Sequence, residues 1–125
     1  MKPVKKIILN NGLTVSIFNH THRYFGDYHR VRVKIICEVP LLKEYFADQS
    51  EYAEAKASLG NNVIFRRDTE LMGIPTGELE KSLEKVIENF TDHSLSYLSS
   101  PQFPRKFVLM ELSGSRKKTR QVYPG

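Results

Sequence analysis

Tyr28-His29-Arg30-Val31-Arg32-Val33-Lys34-Ile35-Ile36-Cys37-Glu38-Val39-Pro40 is the stretch on which the fold turns. Val31, Val33, Ile35, Cys37 and Val39 alternate with Arg30, Arg32, Lys34, Ile36 and Glu38. A period of two belongs to an extended chain whose successive side chains point to opposite faces. One face is apolar and the other largely basic, which suits a strand packed on one side and wet on the other. Pro40 ends the strand or opens a helix, because it supplies no backbone N–H.

On the N-terminal side, Lys5 to Leu9 and Leu13 to Phe18 are β-rich runs separated at Asn11-Gly12. That pair tolerates positive φ, so the spacing predicts a hairpin with a type I′ turn. Leu13, Val15 and Ile17 then share the apolar face. Asn19 to Asp27 is polar, contains Gly26 and reads as a loop.

On the C-terminal side, Leu41, Leu42, Tyr45 and Phe46 recur at helical spacing. Asp48 followed by Glu51 has the form of a capping box, opening a short helix through Ala53, Ala55 and Ala57 that Gly60 closes. Val63 to Met72 reads as a strand whose apolar side, Val63, Phe65, Thr69 and Leu71, is interrupted by Arg67. From about Thr76 to Leu98 the residues Leu79, Leu83, Val86, Ile87, Phe90, Ser94 and Tyr97 form one helical stripe, with Thr76 as the expected N-cap. The run Phe107-Val108-Leu109-Met110 fits a buried strand or a short helix, and Phe103 to Leu112 is expected as a strand.

These elements predict an α+β domain: an antiparallel sheet of roughly three to five strands opening with a hairpin, and one long amphipathic helix on its apolar face. A doubly wound parallel fold would alternate strand and helix from the start, and the hairpin argues against it.

The chain has 125 residues, 40% apolar and 26% charged, the profile of one ordinary globular domain. Its net charge is +5, from 19 basic and 14 acidic side chains. Four of the basic ones, Arg116, Lys117, Lys118 and Arg120, lie in residues 113–125, which hold no acid. The basicity therefore belongs to that stretch, and the rest is nearly balanced. The expected organisation is a single domain over 1–112 with a flexible basic tail over 113–125. No secretory h-region, membrane-spanning run or lipidation box is found, so a cytoplasmic location is expected, with the lone Cys37 reduced.

Few residues carry recognisable chemistry. His20, His22 and His29 with Asp27 are the candidate metal set that offers nitrogen ligands, though their spacing matches no known zinc box and also suits a plain solvated loop. Cys37 sits on an apolar face, where a thiol behaves as a small hydrophobe. There is no Gly-x-Ser-x-Gly elbow, no Gly-x-Gly-x-x-Gly and no Walker pattern, so no cofactor is expected and the reading leans against an enzyme. Glu80, Glu84, Glu88 and Asp92 form an acidic row on the long helix, either a solvated face or a dock for a basic partner. Arg30, Arg32 and Lys34, with Arg66 able to add to them, form a basic stripe near Phe18, Tyr24, Phe25 and Tyr28. Cations and aromatics on a sheet can stack bases and track phosphates, whereas Asp68 and Glu70 could instead pair with the arginines across strands.

Asn11-Gly12-Leu13-Thr14-Val15, taken with the Tyr28 to Pro40 strand, resembles small uncharacterised bacterial proteins of similar length. The resemblance covers the first third of the chain, rests on no catalytic motif, and implies a bacterial cytoplasmic origin but no activity.

The leading expectation is a non-enzymatic module that binds a protein partner or itself, with Arg30, Arg32, Lys34, Arg116, Lys117, Lys118 and Arg120 as partner-binding residues. A nucleic-acid binder using the same cations is the second expectation, and a metal-assisted enzyme built on His20, His22 and His29 the third.

Overall fold

The computed structural model describes residues 2–122 of the chain, with side chains as far as Ser115. At its centre is β4 (Tyr28–Pro40), the strand whose alternation is clearest in the sequence. Val31, Val33, Ile35, Cys37 and Val39 are fully buried on one face, as expected. Along one edge β4 pairs antiparallel with two short strands set end to end, β2 (Thr14–Asn19) and β3 (His22–Phe25). Its other edge pairs along its whole length with β5 (Asn62–Pro75), from Tyr28 opposite Pro75 to Pro40 opposite Asn62. Strand β1 (Lys5–Ile8) lies outside β2, so this five-stranded antiparallel sheet has β1 and β3 along one margin and β5 at the other.

Helices α1 (Gln49–Leu59), α2 (Leu79–Ser99) and α3 (Phe103–Val122) complete the fold. Val86, Phe90 and Leu98 of α2 and Phe103, Phe107, Val108 and Leu112 of α3 join the buried face of the sheet in one core. Phe103 is its aromatic hub, stacked on Phe107 at 5.5 Å and edge-on to Phe65 at 6.0 Å and Tyr97 at 5.3 Å. Each large side chain so buried contributes roughly 1.5–3 kcal/mol of transfer free energy. The α+β architecture, the opening hairpin and the long helix on the apolar face all follow the expectation.

Five local expectations need correction. The segment read as a loop contains β3, joined to β4 across Gly26-Asp27. Gly26 has φ +53° and among the described residues no non-glycine residue has positive φ, the pattern of a type II′ turn. The β1–β2 turn is not type I′, because only Gly12 has positive φ, at +88°. The Gly12 amide donates to the Leu9 carbonyl at 3.0 Å and the Leu9 amide to the Leu13 carbonyl at 2.8 Å, which is a three-residue loop ending in a left-handed glycine. Asn11 is engaged elsewhere: its Nδ2 donates to the Leu98 and Ser100 carbonyls at 2.7 and 3.0 Å, satisfying acceptors at the end of α2.

Thr76 does not cap the long helix. It opens a 3₁₀ turn (Thr76–Glu78), and its hydroxyl donates to Asp27 Oδ1 at 2.6 Å, tying the helix entrance to the β3–β4 hairpin. The spacing of Leu41 to Phe46 yields only a 3₁₀ turn, Lys43–Tyr45. Phe103 to Leu112 is helix rather than strand: Phe103, Phe107, Val108 and Leu112 fall on one helical face, all buried. Ser100 Oγ accepts the amides of Gln102 and Phe103, both at 3.2 Å, at the helix start. Backbone helix continues through Val122, into the stretch expected as a tail.

The Asp48 cap behaves as expected, accepting the Glu51 amide at 2.8 Å, and Gly60 at φ +81° ends α1.

Candidate functional site

All three helices contact the chain from the apolar side of the sheet, which leaves its other face to solvent. Arg30, Arg32 and Lys34 stand on that outer face, as the alternation requires. They are not a free basic stripe. The register places Arg32 opposite Glu70 and Lys34 opposite Asp68 on β5. Arg30 is in an ion pair with Glu70, and Arg32 lies 3.9 Å from both Asp68 and Glu70. Such cross-strand pairs stabilise the sheet modestly and reduce the field an outside phosphate would meet. Phe18 does stand opposite Lys34 on the same face. The other basic candidates, Arg116, Lys117, Lys118 and Arg120, have side chains outside the described residues.

The histidines do not converge. His22 pairs with Arg30 on the outer face, whereas His29, one residue from Arg30, points to the opposite face. His22 Nδ1 lies 3.3 Å from the His20 carbonyl, and His29 Nδ1 is buried without a hydrogen-bond partner. Among the described residues no three His, Cys, Asp or Glu side chains gather closely enough to hold a metal ion. Cys37 is fully buried, and burial pushes its thiol up to about 11, away from the reactive thiolate. The acidic row splits from the rest of α2: Glu84, Glu88 and Asp92 flank a surface depression beside Lys5 of β1.

The strand expected over Val63 to Met72 is present as β5, and what the structure adds is its place at the margin of the sheet. Its inward edge is taken by β4, and no described strand pairs with its outward edge. Ile64, Leu71 and Met72 are all exposed along it, with Met72 at 56%. On its outer face the order is Ile64, Arg66, Asp68, Glu70, and on its inner face Val63, Phe65, Arg67, Thr69, Leu71. The ladder shifts register between His29 and Val31, where Met72 and Gly73 bulge and Gly73 takes φ +71°. Tyr24 reaches this bulge across the end of β4, its hydroxyl 3.8 Å from the place a Cβ on Gly73 would take. None of Ile64, Leu71 or Met72 stood out in the sequence as a site. The signal was present as three large apolar residues in a strand otherwise rich in charge.

Among the described residues no helix is long and apolar enough to cross a membrane. Comparison with protein-family models, with curated proteins and with solved structures gives no match.

Proposed function

We propose that this chain is a small cytoplasmic, non-enzymatic binding module whose partner is a second copy of itself, joined by extension of the sheet at β5. The observation that carries the reading is the open outward edge of a 14-residue strand. An unpaired edge of that length presents a row of N–H and C=O groups ready to template another strand. Natural sheets guard such edges with charged side chains, above all lysine. β5 instead carries two arginines, Arg66 and Arg67, followed by two acids, Asp68 and Glu70, so an antiparallel copy can set opposite charges against each other.

A two-fold axis through Asp68 gives the most favourable register. Arg66 then faces Glu70 of the second copy, Ile64 faces Met72, and Phe65 faces Leu71, each twice by symmetry. This register covers the three exposed apolar side chains of the strand. Its one cost is Asp68 facing its own equivalent, softened by Arg32 and Lys34 alongside. An axis through Arg67 would set Ile64 against Glu70 and arginine against arginine.

Symmetric cross-linking tests the reading. With the axis at Asp68, an Asp68→Cys variant places two thiols directly opposite and forms an intermolecular disulfide rapidly under mild oxidation, whereas Arg66→Cys does not. Equal slow cross-linking of both variants overturns the β5 pairing. Binding of single-stranded RNA or DNA at low salt, weakening steeply as salt rises, would favour the nucleic-acid reading instead.

A further inference from the structure

Between α2 and β5, on the helix-covered side of the sheet, lies a groove of about 540 Å³. Its volume falls within the range of small-molecule sites, roughly 300–1,000 Å³. Leu71, Val86 and Phe90 give it an apolar floor, and Arg67, Lys85 and His93 line its wall. No carboxylate lines it. The acids of α2 turn to the other flank, beside Lys5, and Asp68 and Glu70 are on the opposite face of the sheet with Arg30 and Arg32.

Arg67 is the unusual member. Strand alternation puts it on the apolar side of β5, where its exposed guanidinium lies beside α2. It is held there: Nη1 donates to Ser94 Oγ at 2.6 Å, and the guanidinium lies 5.8 Å from the Phe65 ring centre. Among the described residues neither Arg67 nor Lys85 takes part in an ion pair. His93 Nδ1 donates to the Asn89 carbonyl at 2.8 Å, which fixes the ring and leaves Nε2 as an acceptor in the neutral form. A positioned guanidinium with unused donors and an ammonium beside an apolar floor form a recognisable chemical pattern.

We propose that this groove binds a small organic anion, a carboxylate on a short apolar body. Arg67 and Lys85 take the head, and Leu71, Val86 and Phe90 take the body. The site lies on the inner face and is complete within one copy, although Leu71 would also meet Phe65 of a second copy if two copies pair through β5.

The test is an amide chemical-shift titration of the full chain with octanoate, and in parallel with acetate and octanol. Octanoate is expected to shift the amides of residues 67–71 and 85–94, while acetate and octanol each bind at least about tenfold more weakly, a difference of one ordinary charged contact. Arg67→Gln and Lys85→Gln should each weaken octanoate about tenfold while leaving the remaining spectrum in place. Lys85 is exposed on α2, so its substitution tests the head contact even if Arg67→Gln disturbs the sheet. Equal binding of octanol and octanoate overturns the proposal, as do shifts centred elsewhere, no shift at millimolar octanoate, or unaltered affinity in Lys85→Gln.

Discussion

The sheet has two margins, and they are built differently. β1 offers four residues, Lys5–Ile8, two of them lysine. Short, lysine-bearing strands are a common way to keep an edge from pairing. β5 offers 14 residues with two arginines followed by two acids, and three exposed apolar side chains among them. The difference teaches that charge on an edge strand does not by itself mean protection. Pattern decides: one sign repels a second copy, whereas a basic half followed by an acidic half can match an antiparallel copy.

Four variants would break or sharpen this contrast. The largest effect is expected from Ile64→Lys combined with Met72→Lys, which sets lysine against lysine at two symmetric places. It should raise the dimer dissociation constant about 100-fold, near 3 kcal/mol, read by sedimentation across a concentration series. Next comes Asn11→Ala at the β1 margin, which leaves the Leu98 and Ser100 carbonyls without their donor. Urea unfolding should give a loss of about 2 kcal/mol, with association unchanged. Asp68→Asn removes the like-charge contact on the proposed axis and should tighten association about fivefold, near 1 kcal/mol. Smallest is Ile8→Lys on β1, where the side chain is 81% exposed. Both stability, within about 0.5 kcal/mol, and association should stay as they are.

Much of the architecture is legible in the residues because its two longest elements have clear periods. β4 alternates without a break over its buried positions, and the stripe of α2 recurs every three or four residues. β3 is invisible by that logic: His22, Arg23, Tyr24 and Phe25 are all exposed, so burial imposes no alternation on them. α3 is obscured by the run Phe107-Val108-Leu109-Met110, which looks uniformly buried although Met110 is 59% exposed. The spacing of Phe103, Phe107 and Leu112 was the better guide. The role of Asn11 depends on a partner 87 positions away, so the local Asn-Gly signal pointed to the wrong turn.

The basic stripe shows the same limit at the level of the site. Arg30, Arg32 and Lys34 share a face because the strand period requires it, but their neutralisation depends on which strand lies alongside and in what register. Glu70 and Asp68 were visible as candidates for that pairing, since opposite charges commonly meet across strands. The open edge was harder to find. β5 is last among the strands in sequence and is also marginal in space, a fact that emerges only once β2, β3 and β4 have been placed.

The most direct measurement of the central claim is amide hydrogen exchange at both margins, from micromolar to millimolar protein. Pairing through β5 predicts that alternate amides between Asn62 and Met72, those not bonded to β4, gain protection as concentration rises, while Lys5–Ile8 does not change. Protection along β5 that is independent of concentration, or a gain confined to β1, would contradict it.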